Sequence, residues 1–109
     1  MNLDRLRKVV EATALKSWEG EVAEEHLLRA RKILDEAGRS MLELAVNQQK
    51  DELVAVIDRA VRALNEADEP EHFIMTIERE DLCEHLGNLG AAAGLSDAEI
   101  DRGLSGRDW

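Results

Sequence analysis

Residues 71–95 read EHFIMTIEREDLCEHLGNLGAAAGL, from Glu71 to Leu95, and this stretch decides the fold. At about 100° per residue, Ile74, Met75, Leu82, Leu86, Leu89 and Ala93 fall on one apolar stripe. Glu78 and His85 fall within that stripe or on its border, and Asp81 lies just beyond it. Glu80, Arg79 and Gly87 face the other way. The pattern predicts one long amphipathic helix whose stripe faces a core. Gly94 suits the left-handed position that ends a helix, and Leu95 can pack back on the last turn.

The rest of the chain repeats this pattern in shorter pieces. Leu3, Leu6, Val10, Ala14 and Trp18 predict a first helix from Leu3 to Trp18, capped by Asn2 and stopped by Gly20. Val22, Ala23, Leu27, Ala30, Ile33, Leu34 and Ala37 predict a second from Glu21 to Ala37, with His26 on its stripe and Leu28 pointing away. Gly38 should end or bend it. Ser40 and Glu43 have capping-box spacing, which predicts a short third helix from Met41 to about Gln48. Asp51 should cap a fourth from Glu52 to Ala67, with Leu53, Val54, Ile57, Val61 and Leu64 inward. Asp68-Glu69-Pro70 is the strongest breaker. Ser96 and Glu99 form a second capping box before a last short helix carrying Ile100 and Leu104.

The expected fold class is therefore all-α: a small single-domain antiparallel bundle over residues 1–109, with four main helices and short extras. Tyr is absent, and the chain has one Phe and one Pro. No apolar run approaches the length of a membrane span, and the segment MNLDRLRK has no apolar signal-peptide core, so a cytoplasmic protein is expected. The only cysteine, Cys83, cannot form an internal disulfide and reads as a bystander thiol.

The net charge of −10 is lopsided. Residues 1–50 hold nine acidic and nine basic side chains, whereas residues 51–109 hold fifteen against five. Eight carboxylates between Glu66 and Glu84 face a single Arg79. This field repels nucleic acid and anionic lipid and attracts a basic protein surface or a metal ion. The acidic residues expected to meet a basic partner are Glu66, Asp68, Glu69, Glu71, Glu80 and Glu84.

No nucleophile elbow, P-loop or dinucleotide fingerprint is present, so no catalytic residue is assigned. The Gly87–Gly94 run has the wrong spacing for a phosphate loop, and Gly87 and Gly90 suit close helix approach or a relaxed helix instead. Asp81 and His85 are one helical turn apart, Glu78 lies on the same side, and His26 comes from another stripe. Two His and two carboxylates would suit zinc, iron or manganese, which makes a divalent metal the alternative ligand. The bland reading of the same residues is a buried polar pair or a rim salt bridge.

The segment DELVAVIDRAVRALNEAD, the long helix, and AAAGLSDAEIDRGLSGRDW together resemble a family of small uncharacterised bacterial helical proteins. In that family a long helix leads to a terminal Arg-Asp/Glu-Trp. The resemblance covers roughly residues 51–109 and rests on Gly94, Ser96 to Ile100 and Arg107-Asp108-Trp109. Gly94-Leu95 stands where that family has an aromatic turn. The resemblance implies a bacterial, cytoplasmic, helical domain without an assigned activity, and a tail that folds back to tuck Trp109 against the bundle.

Two functional classes follow. The first is a non-enzymatic acidic module that binds a basic protein, in its concrete form an immunity-type antagonist of a basic toxin. The second is a metal- or small-ligand-binding helical protein using His26, Glu78, Asp81 and His85. A monomer or a homodimer paired through spare apolar residues such as Leu28 is compatible with either.

Overall fold

The computed structural model describes residues 2–45 and 49–109. Every regular element among them is helical. They are α1 (Leu3–Glu11), a 3-10 turn (Lys16–Trp18), α2 (Glu24–Ala45), α3 (Lys50–Asp68), α4 (Thr76–Ala92) and α5 (Asp97–Leu104). The buried apolar side chains form one cluster drawn from all five helices and the 3-10 turn. The Cα radius of gyration is 13.1 Å, near the value expected of a folded chain of about 100 residues. No helix among the described residues is long and apolar enough to cross a membrane.

The first helix is shorter than its periodicity predicts. Asn2 caps it, its side chain accepting the Arg5 N–H at 3.0 Å, but it ends at Glu11 and Ala12 is extended. Leu6, Leu15 and Trp18 are all buried. On a continuous helix Leu15 would lie roughly 180° from Leu6 and face solvent. The chain resolves the conflict by breaking, with Leu15 in the left-handed region at φ 61°. That conformation is unfavourable for leucine by about 1–2 kcal/mol, which burial of the Leu15 and Trp18 side chains offsets. The freed Ala14 carbonyl accepts the Arg31 Nε–H at 2.9 Å.

The second helix is longer than expected. Gly38 does not end it; a Cβ there would stand 2.8 Å from Val10 Cγ2, so this glycine is where α1 crosses α2. The buried stripe Leu27, Ala30, Leu34, Ala37 and Met41 runs straight through it. Ser40 and Glu43 therefore lie inside α2 and form no helix start. Of the expected helix from Met41 to Gln48, Met41–Ala45 belong to α2, and residues 46–48 lie outside the described residues.

Helix α3 begins one residue before the expected cap. Gln49 is extended, and Asp51 lies in the first turn, where its charge suits the positive end of the helix dipole. Leu53, Val54, Ile57, Val61 and Leu64 are buried as predicted. So are Val56, Ala60 and Ala67, because α3 packs against α2, α4 and α5 and must be apolar on most of its circumference.

The long helix begins at Thr76, not Glu71. Asp68 prevents an earlier start. Its carboxylate is buried and accepts the Ile74 N–H at 2.8 Å, and its carbonyl accepts the His72 N–H. His72 takes a left-handed φ of 48° to close this loop. Met75, placed on the core stripe by periodicity, is instead 66% exposed. Glu78 accepts the Met75 N–H at 3.0 Å and so caps the helix start. The other end behaves as predicted: Gly94 has φ 98°. Leu95 N–H bonds Gly90 O and Gly94 N–H bonds Ala91 O, the paired pattern of a glycine-terminated helix.

The Ser96–Glu99 box forms in both directions, and the Ser96 N–H and hydroxyl hold the Glu99 carboxyl below its ordinary range. Gly103 lets α5 lie directly on α3 against Ile57. The tail folds back as expected. Asn65 donates to Gly106 O and accepts the Asp108 N–H. Trp109 packs against the core, and the Arg107 guanidinium lies 5.8 Å from its ring centre.

Candidate functional site

The residues expected to share a metal do not converge on one point: Asp81 and His85 border one cleft, while Glu78 and His26 are engaged elsewhere. Glu78 caps α4. Asp81 accepts the Trp18 indole N–H at 3.0 Å and the Ser17 hydroxyl at 3.2 Å. A buried indole needs such an acceptor, so Asp81 locks the 3-10 turn onto α4. His85 lines the groove between α1 and α2 with Val10, Ala14 and Leu34, and burial pushes its imidazole below its ordinary pKa. Asp81 and His85 do border one polar cleft of about 230 Å³, beside Thr13, Glu84 and Asn88.

His26 belongs to a different constellation. Its Nε2 lies 2.9 Å from Glu71 Oε2, and its ring stacks on Phe73 with centroids 4.4 Å apart and planes 6° from parallel. Phe73 in turn meets Trp18 edge to face at 6.2 Å. The loop that Asp68 closes thus delivers Glu71 and Phe73 to one imidazole. Among the described residues, the His and acidic side chains whose ligand atoms converge within 4.8 Å are Glu25, His26 and Glu71. Periodicity places His26 on the α2 stripe but brings neither Glu71 nor Phe73 to it, since both contacts depend on the non-helical path of residues 69–75.

The acidic residues divide in the same way. Asp68, expected at a partner surface, is buried and serves the loop; it cannot touch a partner. Glu71 is exposed but occupied by His26. Glu66, Glu69, Glu80 and Glu84 are exposed. None of these four has an ion-pair partner among the described residues.

Glu80 and Glu84 lie on the outward ridge of α4. Taking the fully buried Leu82 as the inward direction, Ile77, Glu80, Glu84, Gly87 and Ala91 all point within about 40° of the opposite direction. Ile77 is 66% exposed there. Gly87 meets nothing within 4 Å of a built Cβ, so the fold does not require it. Gly90, on the inner side, does require glycine, because a Cβ would stand 2.8 Å from Ile100. Cys83 is a free thiol with Arg107 Nη1 at 3.5 Å.

No family model, curated protein or solved structure matches the chain.

Proposed function

We propose that this protein is a non-catalytic acidic module that docks a basic protein through the outward ridge of α4. One observation carries the reading: Ile77 is 66% exposed on the ridge it shares with Glu80 and Glu84, exposed carboxylates with no ion-pair partner among the described residues. An apolar anchor among uncompensated like charges is the composition of a surface that awaits a cationic, partly apolar partner. The net charge of −10 steers such a partner in from a distance. An immunity-type antagonist, which covers the basic active site of a toxin, is the concrete form of this proposal. The antiparallel bundle order belongs to the same reading and is supported by the short connection between α2 and α3, which pack on each other.

The test is the association rate of the partner at rising salt, for wild type and for Glu80→Lys/Glu84→Lys. The proposal expects association to slow with salt and with charge reversal, while dissociation changes less. Salt-independent association, equal in both proteins, would remove it.

A second reading, binding of a divalent metal, is favoured by the convergence of Glu25, His26 and Glu71. It expects zinc or manganese to bind stoichiometrically in equilibrium dialysis and to be lost in His26→Ala. Dialysis showing no uptake would dispose of it.

A further inference from the structure

The start of α2 carries a cleft of about 610 Å³, within the range of ligand-binding sites. Its apolar side is made by Val22, Leu27 and Leu28, and its acidic rim by Glu19, Glu21 and Glu24. Leu28 is 56% exposed, beside a Leu27 that is 5% exposed, so one side chain anchors the helix to the core and the next stands uncovered. Arg31 also borders the cleft, but Glu19 neutralises it at 2.9 Å. Glu21 and Glu24 have no ion-pair partner among the described residues, which leaves the rim with two uncompensated negative charges.

We infer that this cleft is a docking groove for a basic amphipathic segment of another protein. The segment seats one large apolar side chain against Val22, Leu27 and Leu28 and lays flanking Lys or Arg side chains over Glu21 and Glu24. Charge decides the occupant. Nucleic acid is repelled by this rim, and a second copy seated through the same face would set its own Glu21 and Glu24 against these carboxylates, whereas a cationic segment is attracted and its apolar residue covers Leu28. The inference rests on the reading of the protein as a binding module but assigns the segment to α2, apart from the α4 ridge.

The test is selection of a random twelve-residue phage-displayed peptide library on the full chain. Enriched peptides are then titrated against wild type, Leu28→Glu, Leu28→Ser, Glu21→Lys/Glu24→Lys and Glu80→Lys/Glu84→Lys. Leu28 is exposed, so its variants should fold, and their circular dichroism checks that they do. The expected peptides combine a large apolar residue with two or more cations. They should lose about tenfold or more in affinity on Leu28→Glu and less on Leu28→Ser. They should also weaken in a salt-dependent way on reversal of Glu21 and Glu24, and bind the Glu80/Glu84 variant as they bind wild type. Peptides held equally by Leu28→Glu would overturn the groove. If those same peptides were lost on reversal of Glu80 and Glu84, binding through α4 would stand without it. A library that yields no enriched peptide also overturns the groove and leaves the association test on α4 independent.

Discussion

Two glycines in this protein should respond to alanine with opposite signs, and the reason is geometric. Gly87 and Gly103 both lie in helices, where alanine is favoured over glycine by about 0.8–1 kcal/mol. At Gly87 an added Cβ meets nothing within 4 Å, so Gly87→Ala should realise the whole gain. For a domain of this size that is a rise in Tm of about 3–5 °C. At Gly103 the new Cβ would stand 2.8 Å from both Cβ and Cγ2 of Ile57, and 3.3 Å from the Val54 carbonyl oxygen. Ile57 is fully buried, and a β-branched stub has no free rotamer to escape into. Either α5 shifts away from α3 or the backbone deforms. Overpacking of this kind costs about 1–3 kcal/mol. The contact falls on the Ile57 stub and not on a flexible tip, which places it in the upper part of that range. Gly103 lies in the last turn of α5, where the propensity gain is smaller. Gly103→Ala should therefore lose about 1–2 kcal/mol, leaving the two variants about 2–3 kcal/mol apart. Urea unfolding followed by circular dichroism measures both, provided the slopes agree. A Gly103→Ala protein as stable as Gly87→Ala would refute the close α3–α5 contact.

Three other perturbations separate the polar roles. Asp68→Ala should cost about 2–3 kcal/mol, since it leaves the buried Ile74 N–H without an acceptor; Asp68→Asn keeps an acceptor oxygen and should cost clearly less, and equal losses in urea melts would disprove the acceptor role. Asp81→Ala should cost about 1–3 kcal/mol by stranding the Trp18 indole N–H, and should change tryptophan fluorescence; unchanged stability and emission would contradict the bond. Burial lowers the His85 pKa, so the folded protein favours the neutral ring. That contribution is fully present above the unfolded value of about 6.5 and is lost as pH falls through the folded value. Wild-type stability measured from pH 7.5 to 5 should therefore fall more steeply than that of His85→Gln, and parallel curves would exclude the effect.

Much of the fold was legible because burial enforces periodicity. The stripe of α3, the Gly94 terminus and the Ser96 box all follow from local rules, and the structure obeys them; the tucked tail was expected only from the family resemblance, and Trp109 does pack against the core. The errors arose where a long-range contact overrode a local signal. Gly38 reads as a stop, yet Val10 occupies the space its Cβ would take; the continuation of the apolar stripe to Met41 was the available clue. Ser40 and Glu43 have capping-box spacing, but a box acts only where a helix starts. The turn at Leu15 could have been anticipated, since Leu15 lies opposite Leu6 on a helical wheel and leucine resists exposure at that size.

The candidate site was less legible for the same reason. Asp68 looked like one more surface carboxylate, and only the fold shows that it closes the loop carrying Glu71 and Phe73 to His26. Helical spacing put Asp81 and His85 on one side of α4, and they do border one cleft. Spacing could not show that Trp18 claims Asp81. Helical spacing placed Glu80 on the outer face, and Glu84 was expected among the surface acids; both are exposed, because an exposed helix ridge depends on nothing outside its own helix.

The most direct measurement of the central claim is a paired affinity capture. Wild type and Glu80→Lys/Glu84→Lys are immobilised side by side, exposed to a lysate of the organism that makes the protein, eluted with a salt gradient and read by mass spectrometry. On the proposed reading, a basic protein is retained by wild type, released as salt rises, and depleted on the charge-reversed ridge. The same protein held equally by both, or no basic protein enriched on wild type, would contradict it.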